Sequence, residues 1–567
     1  MRPVPRPKHH LAVILFAGVA ATSGYLASIE EDLGSAQVNI AAAAIKRHDP
    51  RAFQHDPVFG EQKLWLFHTP AFQSLLELAL VPTGYQDVRL PFRAMAGVVT
   101  MMYLCGMYAL LFAQCRSWSV SAFVSVLSCR VIEALGGAVW GVGSLESITP
   151  MGLCAAIFPL IVLGFARYSQ PRPNEPPGAQ WRLLLVFAVV GLIGNVHLPT
   201  AMNVTIVLLI AYVARQRFAP RCLPMAIGCG LCALVAALPF AGYYFGIRAM
   251  LSQADPEPVP ETIREAFRIG KLTVLYPELL KSFLHWRMLA GALVLVVPAV
   301  AVIGRVERFK TQHVSLWIWL AVGSLFTAMG LHGVSQLLGC ALKTAPPVIE
   351  FLRASSLLLL PLYVLLGQAI TNLFRLLHGH RNRVRWACAA LMAAWMLPSD
   401  NFRVPRHAVG DLATTFMEDV GKPAYALRHA EHRQRGRELA AIARWSAGRD
   451  GAIFLTDQAE FRMLARQSIL AGPNDARYLY YLAPGRLGQW VRRFKRQQEL
   501  LYPSTGRADG EALAQFVAEL IKTDPALGKV AEWYVILRAG AEPEKPGPLK
   551  PITDDAWGKH FCLYRIR

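Results

Sequence analysis

The stretch WRLLLVFAVVGLIGNVHLPTAMNVTIVLLIAYVAR, residues 181–215, carries no Asp, Glu, Lys or Arg between Arg182 and Arg215. A run of that length without a permanently charged side chain belongs in lipid. Its two apolar segments, 183–196 and 201–213, are each short for a bilayer crossing, and Asn195-Val196-His197-Leu198-Pro199 separates them. Backbone polar groups freed at such a break must find partners inside the protein. The stretch therefore reads as either a tight hairpin or a broken pair of helices near one membrane surface.

The same hydropathy pattern recurs outward in both directions. Further spans are expected over 11–28, 94–113, 119–135, 150–165, 223–247, 288–304, 314–338, 355–373 and 384–398, which makes about eleven crossings. Composition agrees, because 54% hydrophobic and 17% charged residues in a chain of 567 lie outside the range of soluble globular proteins. The expected fold class is a polytopic α-helical membrane bundle over residues 1–400, followed by a small soluble α/β domain over 401–567.

The formal net charge is +20, from 58 Lys+Arg against 38 Asp+Glu. Those cations fall between the apolar stretches rather than on one polar face interleaved with aromatics, so they point to membrane lipid headgroups and not to nucleic acid. They also alternate. Arg2, Arg6 and Lys8, then Arg116, then Arg167, Arg172 and Arg182, then Arg215, Arg217 and Arg221, then Arg305, Arg308 and Lys310, then Arg375, Arg381, Arg383 and Arg385 occupy every second connection. The positive-inside rule places the N-terminus and these loops in the cytoplasm. An odd number of spans then puts the C-terminal domain on the outer face. The first apolar stretch follows a basic segment and reads as a retained signal-anchor.

Two outer connections, 29–93 and 248–287, are too long to be simple turns. Leu64-Trp65-Leu66-Phe67 in the first and the segment from Tyr276 through Phe283 to Trp286 in the second suit helices lying in the outer headgroup layer. Beyond Pro398 the pattern becomes that of an α/β unit. Strands are expected at 452–456, 469–470, 533–537 and 562–566, and helices at 460–466, 487–500 and 511–522. Asp457 and Arg466 stand at element ends there, without a glycine-rich phosphate loop or nucleophile elbow nearby.

Nine of the ten cysteines lie in or beside apolar stretches, which argues against a disulfide framework. Cys229 and Cys232, the nearest approach to a metal-ligand pair, sit inside an apolar run as packing residues. These grounds identify no cofactor and leave a divalent metal as an open alternative.

Ionisable groups at membrane depth are costly and therefore informative. Arg130 and Glu133 are one helical turn apart, as are Glu350 and Arg353, and each spacing suits a self-neutralising pair. Arg353, at an outer-leaflet entrance, also suits a phosphate arriving on a lipid. His197 and His332 add polar groups at similar depth. The densest acidic cluster, Glu30, Glu31 and Asp32, directly follows the first span, with Asp49 and Asp56 behind it in Asp-Pro turns. A carboxylate at the rim of an outer cavity could deprotonate an acceptor, which makes Asp32 the first candidate base and Asp56 the second.

Several segments carry a resemblance. Glu31-Asp32 followed by His48-Asp49-Pro50 and His55-Asp56-Pro57, Ser147-Ile148-Thr149-Pro150, Val196-His197-Leu198-Pro199 and Phe351-Leu352-Arg353 resemble bacterial membrane proteins of the GT-C glycosyltransferase superfamily. The resemblance implies a polyprenyl-phosphate-linked sugar as donor, an acceptor of unspecified class and residence in the bacterial inner membrane. It implies that Asp32 or Glu31 is the base and that Arg353 contacts the lipid phosphate; His197 and Arg130 are further candidate substrate-binding positions by their membrane depth alone. The chain lacks a clean Asp-x-Asp metal motif. A non-catalytic envelope protein is the alternative. Transport fits less well, because there is no internal repeat and 357–366 is almost wholly apolar.

Overall fold

The computed structural model describes residues 13–22, 35–60, 63–85, 88–130, 149–169, 181–252, 260–270, 286–304, 314–342, 351–396, 424–449, 451–504, 506–545 and 547–567. The chain is a polytopic helical membrane protein with a small sheet domain at its C-terminal end. Six helical segments are long and apolar enough to cross a membrane: Arg89–Cys115, Pro150–Tyr168, Trp181–Arg215, Pro220–Leu251, Val314–Gly339 and Phe351–Leu376. Shorter apolar helices, Val13–Thr22, Trp118–Leu127 and Leu293–Ile303, accompany them.

Trp181–Arg215 is the hairpin that the sequence offered as one of two readings. A straight helix of 35 residues would hold its ends about 52 Å apart. Here both ends meet the same two residues: the Arg182 guanidinium lies 5.9 Å from the Tyr168 ring centre, and Arg215 Nη1 donates to Ser169 Oγ at 3.0 Å. The fold-back is at His197, whose backbone leaves the helical region at φ −152° and ψ 94°. Pro199 suits the break, because it supplies no N–H and cannot continue the helical ladder across this point.

The hairpin is stitched to the next helix, Leu223–Ser252, by Asn195. Pro239 disturbs that helix, and the Asn195 side chain takes over the interrupted ladder bond. Phe240 N donates to Asn195 Oδ1 at 3.0 Å, while Asn195 Nδ2 donates to Ala236 O at 2.8 Å. Small residues allow the close approach. A methyl group at Gly191 would stand 2.1 Å from Ala233 O.

The C-terminal domain has a five-stranded sheet: β1 (Ala452–Leu455), β2 (Ser468–Ile469), β3 (Glu532–Arg538), β4 (Leu549–Ile552) and β5 (Phe561–Ile566), in the order β2-β1-β3-β5-β4. β2, β1 and β3 run parallel, and β5 and β4 add an antiparallel edge. All four expected strands are present. β4 was not expected, because Leu549-Lys550-Pro551-Ile552 contains a proline and lies at the sheet edge, where proline is tolerated but hides the strand signal.

The sheet has buried clusters of its own, around Val535 and around Phe454, but the domain's helices facing the bundle join the bundle's core. Leu479, Leu487 and Trp490 belong to the same buried cluster as Phe72, Leu104 and Leu360. The helix Ser35–His48, with Val38 through Ile45 all buried, lies within that cluster. One sequence expectation changes here. Leu64–Phe67 forms a 3-10 turn against the C-terminal domain, with Phe67 stacked on Tyr481 at 5.3 Å, rather than lying among lipid headgroups. The second long connection contains the helix Pro260–Gly270, which is tied to the domain by a 2.8 Å ion pair between Glu265 and Lys495. Tyr276 and Phe283 fall outside the described residues.

Candidate functional site

Where the helical bundle meets the C-terminal domain, the chain encloses a cavity of about 190 Å³. Each part of its wall has a local cause. His197 reaches it because the hairpin turns there, and its Nδ1 shares a 2.6 Å hydrogen bond with Thr200 Oγ1 that fixes the ring. Thr149 and Pro150 begin the helix Pro150–Tyr168, with Thr149 Oγ1 accepting from Gly152 N at 3.0 Å and Pro150 in the first turn. The positive end of that helix dipole is therefore at the wall.

Arg353 lies in the 3-10 turn Phe351–Leu358. Its guanidinium reaches Met151 Sδ at 2.9 Å. The facing wall comes from the C-terminal domain: the helix Asp475–Leu482 supplies Arg477, Tyr478 and Tyr481, preceded by Asn474. Tyr244 OH, from the bundle, donates to Tyr481 O at 3.0 Å and binds the two halves together.

Charge at this wall has one sign. Arg353 and Arg477 both line the cavity, and no Asp or Glu is among the described residues that do. His68 adds no charge, because burial, helped by Arg477, pushes its imidazole down to about 3. Neutral His68 shares a 2.7 Å hydrogen bond with Tyr478 OH. Two guanidiniums, a helix N-terminus and aromatic rings give the wall a positive character with an apolar margin.

Beneath the wall is a buried ionic node. Arg462 donates from Nε to Asp56 Oδ2 at 2.8 Å, from Nη2 to Asp56 Oδ1 at 3.2 Å, from Nη1 to Asp475 Oδ1 at 2.8 Å and from Nη2 to Asp475 Oδ2 at 2.9 Å. Nη1 also reaches Asn39 Oδ1 at 3.0 Å. Burial alone would lower the Arg462 guanidinium, but the two carboxylates outweigh it and raise it above its ordinary value. Burial pushes the Asp56 carboxyl up, against the opposing pull of Arg462, and Asp475 adds to the rise.

The structure therefore brings together two of the six residues singled out from the sequence, Arg353 and His197. Asp56 is a correction: its side chain is 0% exposed and fully engaged with Arg462 and with the amides of Val58, Phe59 and Ile469. A carboxylate sealed in this way has no route to an acceptor, so its place is structural. Arg130 is not in the cavity wall either, since its guanidinium lies 4.0 Å from the Trp395 ring centre. Asp32 and Glu31 lie outside the described residues, as do Glu133 and Glu350.

Asp457 is paired with Arg538 at 2.8 Å and with Tyr502, and Arg466 Nη2 donates to Tyr85 O at 2.6 Å, so both serve to hold the domain in place. His332 is buried just after a π turn, Phe326–Leu331, and is not part of the wall. The sequence reading missed Asn39, His68, Asn474, Arg477 and Tyr481. A usable signal was the arginine set against three tyrosines in Arg477-Tyr478-Leu479-Tyr480-Tyr481, a cation and aromatic cluster in a region where no helix had been assigned.

No family model and no curated protein matches the chain. Among solved structures, it is similar to ArnT from Cupriavidus metallidurans, determined bound to undecaprenyl phosphate, at 11% identity over 98% of both chains with a TM-score of 0.41.

Proposed function

We propose that the chain is a GT-C-type membrane glycosyltransferase that holds the phosphate of a polyprenyl-phosphate-linked sugar in this cavity and transfers the sugar to an acceptor at the outer face of a bacterial inner membrane. The observation that carries the reading is a wall with Arg353, Arg477 and a helix N-terminus and with no described carboxylate, at the junction of bundle and domain. Such a wall favours a phosphate over a cation or a neutral solute. The apolar residues around it, Val196, Leu198, Pro199 and Phe240, suit the first isoprene units of a lipid carrier.

In this reading Asp32 is the general base, with Glu31 as its neighbour. Asp32 lies seven residues before Asn39, a wall residue, so the acidic segment leads straight into a helix that lines the cavity. Binding without transfer is the second reading, and one observation favours it: the described wall contains histidines and tyrosines but no carboxylate to deprotonate an acceptor.

Transfer from a labelled polyprenyl-phosphate sugar tests the proposal. Asp32→Asn keeps the side chain's shape and removes its basicity, so transfer should fall by about a hundred-fold to ten-thousand-fold with the protein still folded in the membrane. Arg353→Ala should weaken donor binding instead. Full transfer by both Asp32→Asn and Glu31→Gln would remove the base assignment, and unchanged donor binding in Arg353→Ala would remove the phosphate assignment.

A further inference from the structure

Asn39 joins the buried ionic node to the cavity wall. It is 2% exposed, it lines the cavity, and its Oδ1 accepts from Arg462 Nη1 at 3.0 Å. An arginine can only donate, so this contact settles which end of the carboxamide is oxygen. The other end, Nδ2, is a buried donor with no partner among the described residues. Asn474 also lines the cavity, and its Nδ2 is likewise buried without a partner. Buried amide donors are normally satisfied, and a protein that keeps two in one wall bears the cost of leaving them unpaired unless something enters to accept from them.

We infer that Asn39 and Asn474 are ligand-binding residues, whose amides donate to oxygens of the phosphate group that Arg353 and Arg477 attract, with Arg462 acting as the positioning residue that turns the Asn39 donor away from the node. This rests on the proposed function for the cavity and adds to it the neutral half of the recognition. Guanidiniums attract any anion, but fixed neutral donors accept only one that brings oxygens to their positions. The tetrahedral oxygens of a phosphate can meet donors arranged around the group, whereas the two oxygens of a carboxylate lie in one plane.

The arrangement also couples the two halves of the chain. Arg462 belongs to the C-terminal domain, Asn39 and Asp56 to the segment after the first span, and Asp475 to the helix that carries Arg477. The orientation of one amide in the wall is thus set by a contact spanning 423 positions of sequence.

Binding of farnesyl phosphate to the full-length protein in lipid nanodiscs, with farnesol and inorganic phosphate alongside, provides the test. Asn39→Asp keeps an oxygen toward Arg462 and replaces the donor by an acceptor, so farnesyl phosphate should bind at least about ten-fold more weakly. Asn474→Ala, at a half-buried helix end that tolerates the change, should weaken it several-fold and covers the case in which Asn39→Asp fails to fold. Farnesol binding should be unaffected in both variants. Wild-type affinity in both variants, or an equal loss for farnesol and farnesyl phosphate, would overturn the inference while leaving the cavity's function standing. Failure of the wild-type protein to bind farnesyl phosphate would instead overturn the proposed function and this inference together.

Discussion

Asp56 shows how burial decides the meaning of a side chain. Its carboxylate receives two donors from Arg462 and three backbone amides. In Asp56→Asn the new Nδ2 would face donors in at least one of those positions, whichever way the amide turned. We expect a loss of about 2–4 kcal/mol in stability, measured by thermal unfolding in detergent. Loss of transfer in a variant of wild-type stability would instead restore Asp56 as a base. His68 gives a second expectation at this scale. Its native pKa of about 3 lies below its ordinary 6.5, so the unfolded chain takes up a proton in that interval that the native protein refuses. The contribution to stability is complete above pH 6.5 and is lost as pH falls toward 3, at about 1.4 kcal/mol per pH unit. His68→Gln should flatten that slope, and an unchanged difference in stability between pH 7 and pH 5 would count against a neutral buried His68.

At the scale of elements, the hairpin Trp181–Arg215 depends on a break and on a close contact. The break was legible, because Pro199 and the polar Asn195 and His197 interrupt an apolar run. The choice between a tight hairpin and a broken pair of helices was not, since hydropathy has no term for direction. It was settled by Arg182 and Arg215 meeting at Tyr168–Ser169. The close contact leads to a paired prediction. Gly191→Ala places a methyl 2.1 Å from Ala233 O and should cost about 1–3 kcal/mol through forced helix separation. Gly242→Ala, where nothing lies within 4 Å, should be neutral or slightly stabilising because alanine favours helix. Thermal unfolding of the two variants side by side checks this, and equal effects would mean that the Gly191 approach is not tight.

For the molecule as a whole, the relevant quantity is the direction in which the bundle faces. Arg167, Arg182 and Arg215 gather around Tyr168–Ser169 at one end. The C-terminal domain closes the other end, at His197 and Arg353. The positive-inside rule then predicts that the domain is extracytoplasmic. Fusions after Arg567 should give active alkaline phosphatase and no fluorescence from a reporter that folds only in the cytoplasm. The reverse pattern would invert the topology and move the cavity to the cytoplasmic face.

The sequence by itself determined what depends on neighbours along the chain: the apolar runs that require a bilayer, the alternation of basic loops, the break before Pro199, and strands β1, β2, β3 and β5 with their short apolar runs. It also singled out Arg353 and His197, because a polar group at membrane depth is costly wherever the chain later goes. The tertiary structure decided what depends on distance through space. The cavity wall draws on Asn39, His68, Thr149, His197, Arg353 and Arg477, six positions from segments far apart in the chain, and only their convergence produces a cationic site. Asp56 and Arg462, 406 positions apart, look like an exposed turn and a helix surface when read locally. Burial and Coulomb attraction act across space, so their partnership and the exclusion of Asp56 from the wall became visible only once the chain had folded.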